Sequence, residues 1–110
     1  MSTDKHTISF ILDTLHNSPR ISVRAMFGEY ALYADGKVVA LVCDDTLYVK
    51  ILPASQVLEK ICEKGPPYPG AKLHYVLSEE QITSLSELSS TLFAIAKSLP
   101  EKKKKTKTQR

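Results

Sequence analysis

Four residues around one apolar run have side chains that could act together chemically. Two are cations and two are phenols. Arg24 and Lys50 flank that run, and Tyr30 and Tyr48 lie just inside it. A guanidinium and an ammonium group close to hydroxyl donors can hold an anion, and such a pocket could serve a small-ligand enzyme. The competing interpretation, in which both cations are solvated strand ends, is the one that the sequence favours.

The remaining polar candidates do not converge on a metal or cofactor site. His6 and His16 lie ten residues apart on one predicted helix, about 15 Å along its axis, which is too far to share a metal ion. His74 is distant in the chain, and Asp35 and Asp44-Asp45 are typical of two separate hairpin tips. The glycines match neither a phosphate-binding loop nor a dinucleotide-binding motif. The sequence therefore predicts no metal, no cofactor and no catalytic residue.

The cysteines and the N-terminal residues both bear on the cellular compartment. Cys43 and Cys62 lack CxxC spacing, so we expect reduced, structural thiols. Residues 1–6 do not have the basic-then-apolar layout of a secretory signal. No apolar run approaches the roughly 18 residues that a membrane span needs. We therefore expect a cytoplasmic protein without membrane contact.

Positive charge is concentrated at the C-terminal end of the chain. The net charge is +3 over 110 residues, but residues 101–110 contain six cations and one anion, which leaves −2 for residues 1–100. The sequence predicts a single domain over residues 1–100, followed by a basic, disordered tail over 101–110. Alternatively, the tail attracts nucleic-acid phosphates through Lys102, Lys103, Lys104, Lys105, Lys107 and Arg110.

The apolar run between residues 24 and 50 has the pattern of consecutive antiparallel strands. Asp35-Gly36 sits between alternating β-branched and aromatic residues. This dipeptide predicts a two-residue type I′ turn, because aspartate and glycine tolerate the positive φ that the turn needs. A second reversal is predicted at Asp44-Asp45.

The first turn sets a register for the strands on either side of it. It places Leu32 opposite Val39 and Tyr30 opposite Leu41. Both faces of the pair are then mostly apolar, so the middle strand, residues 38–43, must be covered on both sides. Helices would cover one side, and a helix, the C-terminal segment or a second copy of the chain would cover the other.

Helical patterns lie on both sides of this ribbon. The first helix is predicted to begin at Thr3 or Asp4 and to run to about Asn17. Pro53 suits the first turn of a second helix, where its missing N–H matters least. The inward side of that second helix would be formed by Val57, Leu58, Ile61 and Cys62.

The C-terminal half combines a stiff loop, one strand and one helix. Prolines and glycines make residues 65–70 a stiff loop across the surface, and residues 73–77 have the pattern of a strand. Ser78 opens a capping box, so a helix begins there and runs to Pro100 with a break near residues 84–86. This order predicts an α+β fold, with N-terminal, middle and C-terminal helices on an antiparallel sheet made of a meander plus one later strand.

A further feature is the order of aromatic, glycine and charged residues along the ribbon. The positions concerned are Arg24, Met26, Phe27, Gly28, Tyr30, Leu32, Tyr33, Asp35, Gly36, Leu47, Tyr48 and Lys50. In this order they resemble the N-terminal domain of the TfoX/Sxy family, over most of residues 5–99. The chain departs from the family pattern at Glu29, Ala31 and Asp45, where the family usually has glycine.

The resemblance implies an α+β domain and a link to proteins that regulate natural competence by assisting the cyclic-AMP receptor protein at certain promoters. That role belongs to longer members with a second, helical domain, and the family pattern supplies no catalytic residue. The interpretation we favour is therefore a non-enzymatic bacterial interaction or regulatory module. It would act through a protein partner or as a homodimer. The alternatives are a nucleic-acid-associated protein that uses the tail and a small-ligand enzyme.

Deleting residues 101–110 separates the first two interpretations. If the tail binds phosphates, the intact chain binds duplex DNA, and the deletion lowers both the affinity and its dependence on salt. We expect instead that intact and truncated chains bind duplex DNA equally weakly at two salt concentrations, as a solvated tail requires. A salt-dependent affinity that disappears with the tail would contradict this expectation.

Overall fold

The structure, a computed structural model, describes residues 4–15, 18–26 and 29–99. Its helices are α1 (Lys5–Thr14), a 3₁₀ helix (Pro53–Leu58), α2 (Glu79–Ser84) and α3 (Leu88–Ser98). Its strands are β1 (Ile21–Met26), β2 (Glu29–Ala34), β3 (Lys37–Cys43), β4 (Thr46–Lys50), β5 (Glu63–Gly65) and β6 (His74–Leu77). The six strands form one antiparallel sheet in the order β1-β2-β3-β4-β6-β5. The predicted α+β class is confirmed.

The sheet differs from the prediction by one strand. The four-stranded meander is present, but two later strands follow it rather than one. The additional strand, β5, is three residues long and pairs only with β6 at the sheet edge. Its sequence, Glu63-Lys64-Gly65, has no apolar alternation, so the residue pattern does not predict a strand there.

Both predicted hairpin turns are present. Asp35 and Gly36 have φ of 52° and 81°, so both central residues are in the left-handed region that a type I′ turn needs. Asp44 and Asp45 have φ of 52° and 61°. Aspartate is among the few residues besides glycine that adopt this conformation readily.

The predicted register between β2 and β3 is correct only next to the turn. Tyr33 pairs with Val38 as expected, but Leu32 pairs with Ala40 rather than with Val39, because a bulge inserts one extra residue in β3. Beyond the bulge the predicted pairs are therefore wrong by one residue. The bulge allows Val39 and Ala40 both to enter the core, where each is 0% exposed.

The core lies between the helices and one face of the sheet. Strand residues on this face pack with residues from α1, α2, α3 and the segment after β4. The fully buried members include Leu32, Val42, Leu47, Val49, Leu92 and Ile95. Ala31 and Cys43 are also buried, but they lie on the opposite face and outside this cluster.

The middle helix is a 3₁₀ helix, and its predicted inward side is partly wrong. Val57 and Ile61 are each 46% exposed, whereas Leu58 and Cys62 are buried. Ser55 interrupts the segment, because its φ of −104° and ψ of 16° are not helical. Its hydroxyl accepts a hydrogen bond from Leu52 N at 2.9 Å and lies 2.7 Å from Lys50 O, to which it donates. A helix with three residues per turn presents different side chains to the core than an α-helix would.

The N-terminal helix is fastened to the second hairpin. Asp4 caps α1, and its side chain accepts from His6 N at 2.8 Å. One carboxylate oxygen of Asp45 accepts from Asp4 N at 2.7 Å and from the Thr7 hydroxyl at 2.9 Å. The departure from glycine at position 45 therefore has a structural reason, since the carboxylate joins the hairpin to the start of the helix.

The C-terminal helices follow the predicted signals. Ser78 and Gln81 form the capping box of α2, and the expected break separates α2 from α3 at residues 85–87. At the end of α3, the Lys37 ammonium donates to the carbonyl oxygens of Ala96 and Leu99, each at 3.0 Å. Ala96 O also accepts from Leu99 N at 3.2 Å, so the ammonium adds a second donor there and one for Leu99 O at the helix end.

A buried tyrosine ties together β6, β5 and the segment after the 3₁₀ helix. Tyr75 is 1% exposed, and its hydroxyl donates to Glu59 at 2.8 Å. Lys64 pairs with the other carboxylate oxygen of Glu59 at 2.8 Å. Burial first, and then the hydrogen bond and charge of Glu59, raise the pKa of Tyr75 to about 12.

Alanine substitution at two neighbouring positions tests the corrected orientation of the 3₁₀ helix. Leu58→Ala should lower the free energy of unfolding by about 2–5 kcal/mol, because it removes a buried side chain. Val57→Ala should change it by less than about 0.5 kcal/mol, because that side chain is half exposed. Urea denaturation measures both, and equal losses would contradict the observed orientation.

The raised pKa of Tyr75 predicts a loss of stability at alkaline pH. Unfolded tyrosine releases its proton at its ordinary pKa of 10, whereas folded Tyr75 does so at about 12. Between these values the unfolded state binds fewer protons, so the free energy of unfolding falls as pH rises. Urea denaturation between about pH 9 and 11 should show a steeper fall for the wild type than for Tyr75→Phe. Equal slopes would show that Tyr75 does not contribute.

Candidate functional site

The sheet face away from the core, called the outer face below, is formed by the alternate residues of each strand. The register places Arg24, Ala31, Leu41, Tyr48 and Val76 side by side in one row across it. Ala31 is fully buried, whereas Leu41, Tyr48 and Val76 are half-buried. The described helices all contribute to the core on the other side, so this partial burial has another source.

That source is a loop between β5 and β6, residues 66–73, called the crossing loop below. Pro67 is buried, and with Tyr68 it faces Leu41 and Cys43 across a hollow. The loop then turns back through Gly70, whose φ of 87° suits glycine, and returns to β6. The predicted loop across the surface is present, but Gly65 belongs to β5. The loop partly covers the second side of the meander, where the sequence had suggested a helix, the C-terminal segment or a second copy of the chain.

Two hollows remain between the crossing loop and the sheet. The first, of 580 Å³, lies where β4 ends and the loop returns to β6, and we call it the basic hollow. The second, of 430 Å³, lies beside Met26 and Cys43, and we call it the apolar hollow. Leu41 and Tyr68 line both, so these two residues form the partition between them.

The basic hollow combines apolar walls with cationic groups. Leu41, Leu73 and other aliphatic side chains line it together with Lys50, Lys72 and His74, and no carboxylate of residues 4–15, 18–26 or 29–99 does. Within the described residues, neither lysine ammonium makes an ion pair or a hydrogen bond. The ring of His74 lies with Nδ1 2.9 Å from Lys72 O. Because a carbonyl oxygen can only accept, Nδ1 carries the hydrogen and helps to hold Lys72 in place.

The apolar hollow contains one acid, one thiol and no described cation. Glu29 accepts a hydrogen bond from Asp44 N at 3.1 Å. Burial first, and then the negative charges of Glu29 and Asp44, raise the pKa of the Cys43 thiol. Burial likewise raises the pKa of Tyr48, with further contributions from neighbouring negative charges. Both groups are therefore held in their neutral, unreactive forms.

The structure does not bring together the four residues of the predicted anion pocket. Arg24 lies on edge strand β1 and Lys50 on β4, three strands away, which corresponds to about 14 Å or more. Tyr30 packs against the core and also lines the apolar hollow, whereas Lys50 does not line that hollow. Arg24 lies instead 5.6 Å from the centre of the Tyr33 ring. Lys50 meets a different set of groups, in the basic hollow.

The other motif positions within the described residues are mainly structural. Leu32 and Leu47 are buried in the core, and Asp35 and Gly36 form the first turn. The Asp35 carboxylate receives two 2.7 Å hydrogen bonds from Arg20, and these lower the pKa of Asp35. Met26 differs, because it is 40% exposed at the rim of the apolar hollow.

Several predicted positions lie outside the described residues. They include Phe27 and Gly28 of the ribbon motif, His16, and the whole basic tail. The proposed nucleic-acid contacts of that tail therefore stay a prediction: Lys102, Lys103, Lys104, Lys105, Lys107 and Arg110.

The described residues contain no cluster of three or more histidine, cysteine or acidic side chains that could hold a metal ion. Cys43 and Cys62 are free and buried, and burial raises the pKa of each thiol. Over residues 4–15, 18–26 and 29–99, no helix has the length and apolar character needed to cross a membrane.

Sequence reasoning missed three residues of the outer face: Tyr68, Lys72 and His74. All three belong to the crossing loop or follow it directly. The positions of Tyr68 and Lys72 depend on the path of the loop, which no periodicity encodes, and that of His74 depends on the pairing of β6 with β4. The available signal was the Pro-Pro-Tyr-Pro-Gly run, residues 66–70, which requires a stiff excursion immediately before a strand.

Comparison with known proteins identifies the family of this chain. Residues 13–96 match the family described as the TfoX N-terminal domain. The chain is also 37% identical over 111 residues to an uncharacterised 12.7 kDa protein in the trpE 5′ region of Spirochaeta aurantia. That match covers 98% of this chain and 96% of the relative. The resemblance seen in the sequence is thereby confirmed, and the chain belongs to the TfoX N-terminal domain family.

Proposed function

We propose that this protein is a non-enzymatic interaction module that binds another protein chain through the outer face of its sheet and the crossing loop. Membership of the TfoX N-terminal domain family associates it with the regulation of competence. In this proposal the regulatory effect is transmitted by protein contact rather than by a chemical reaction. The partner is a second protein or another copy of this chain.

The observation that carries the proposal is the grouping of exposed apolar side chains. Met26 is 40% exposed, Leu73 55% and Tyr68 57%, and all three line the hollows of the outer face. Exposed apolar side chains grouped on one surface, and rimmed by polar residues, are typical of protein contact sites. Aromatic residues and methionine are enriched in such sites.

The state of the ionisable groups also supports a non-enzymatic role. The carboxylates of Asp35 and Glu59 have lowered pKa values because Arg20 and Lys64, respectively, hold them in structural ion pairs. The shifted thiols and phenols are moved towards their neutral forms. These shifts are opposite to those that activate a nucleophile or a general base near neutral pH.

Position-specific photocrosslinking in the source cell tests this proposal. A photoreactive amino acid at position 68 or 73 should form protein adducts, because both side chains lie on the proposed contact surface. The matched controls are positions 57 and 61, which carry exposed apolar side chains on the 3₁₀ helix and just beyond it. An adduct of about twice the chain mass identifies the homodimer, and another mass identifies a different partner.

Two results would contradict the proposal. One is a chain that gives no adduct at position 68 or 73 while it is folded and present at normal abundance. The other is an equal yield of the same adducts at positions 57 and 61, which would show that exposure alone decides the reaction. Light scattering across a micromolar concentration range supplies the mass of the free protein for comparison.

A further inference from the structure

The basic hollow has a chemical composition that its structural role does not explain. Lys50 and Lys72 line a space of 580 Å³ together with His74, Tyr68 and a set of aliphatic residues. Lys50 is half-buried, and no carboxylate from the described residues lines the space. Lys72 is exposed, so two positive side chains border the hollow without a described negative side chain to balance them.

An anion in the hollow would supply the balancing charge. Lysine ammonium groups form strong, charge-assisted hydrogen bonds to carboxylate or phosphate oxygens. The hydrogen bond between His74 and the backbone of Lys72 already holds the loop lysine near the mouth of the hollow. The hollow is thus prepared for negative charge before any ligand arrives.

The rest of the hollow determines what the anion must be attached to. Leu41, Leu52 and Leu73 form an apolar wall. Contact with hydrocarbon is more favourable for such a wall than contact with water. The volume lies within the range of sites for small molecules, about 300–1,000 Å³. Beyond Leu41 and Tyr68 lies the apolar hollow, which could take the end of a longer chain.

We propose that the basic hollow binds a small organic anion with an apolar chain. Its anionic head would lie between Lys50 and Lys72, and its chain would run along Leu41 towards Tyr68. This inference goes beyond the proposed function and does not depend on it, because the ligand binds the isolated protein and needs no partner. The head group is a carboxylate or a phosphate, which share the required charge.

Nuclear magnetic resonance titration of the full 110-residue chain tests the proposal. Octanoate and octyl phosphate are the two anionic probes, and whichever binds more tightly identifies the head group. At least one should give saturable shifts at Leu41, Leu73 and His74. Acetate lacks the chain and octanol lacks the charge, so each should bind at least about tenfold more weakly than the better anionic probe.

Lysine variants test which side chains recognise the charge of the ligand. Lys50→Met and Lys72→Met should each weaken binding of the better probe about tenfold, while the matched control Lys60→Met, on the exposed segment after the 3₁₀ helix, should leave it unchanged. Lys50→Arg keeps the charge and should keep binding, so it carries the test if Lys50→Met does not fold. Octanol binding as tightly as the anions, or equal losses in all three methionine variants, would overturn the proposal. So would the absence of saturable shifts at the hollow.

Discussion

The structure depends on burying the central strand β3 on both of its faces. On one face Val39, Ala40 and Val42 are fully buried against the helices. On the other, Cys43 is 6% exposed and Leu41 is half-buried beneath the crossing loop. A strand that is paired along both edges can reach solvent only through its faces, and apolar side chains on both faces require two covers. Helices supply one complete cover, and an eight-residue loop supplies the other only in part.

The sequence was sufficient to predict the structure wherever the interactions that determine it are local. Asp35-Gly36 specifies its turn through backbone conformation, and Ser78 with Gln81 specifies the start of α2 through hydrogen bonds within four residues. The bulge at Val39 could not be predicted from the turn, because it is set by what the core must accommodate several residues away. The orientation of Val57 was mispredicted because a period of 3.6 residues was applied to a 3₁₀ segment that is interrupted at Ser55.

The candidate site follows from the unequal covers of β3. A loop of eight residues cannot fill the space over six strands, so hollows and exposed apolar side chains remain on its two sides. The sequence suggested that Lys50 and Arg24 share one site, because both flank the meander. Strand spacing separates them. Lys50 pairs with His74 across β4 and β6, and the crossing loop adds Lys72 to the same hollow. Most residues of the family pattern that lie in the described parts form the scaffold. The residues that give the outer face its exposed apolar and cationic side chains come largely from the crossing loop.

The contact between Asp45 and the first turn of α1 has a consequence for the order in which the chain folds. Asp4 and Asp45 are 41 residues apart, whereas each hairpin closes through a two-residue connection. Closing the longer segment has the greater entropy cost, and that cost is recovered only when a formed hairpin is already there to receive the helix. The meander is therefore the natural nucleus, and docking of the N-terminal helix belongs to a later stage of folding.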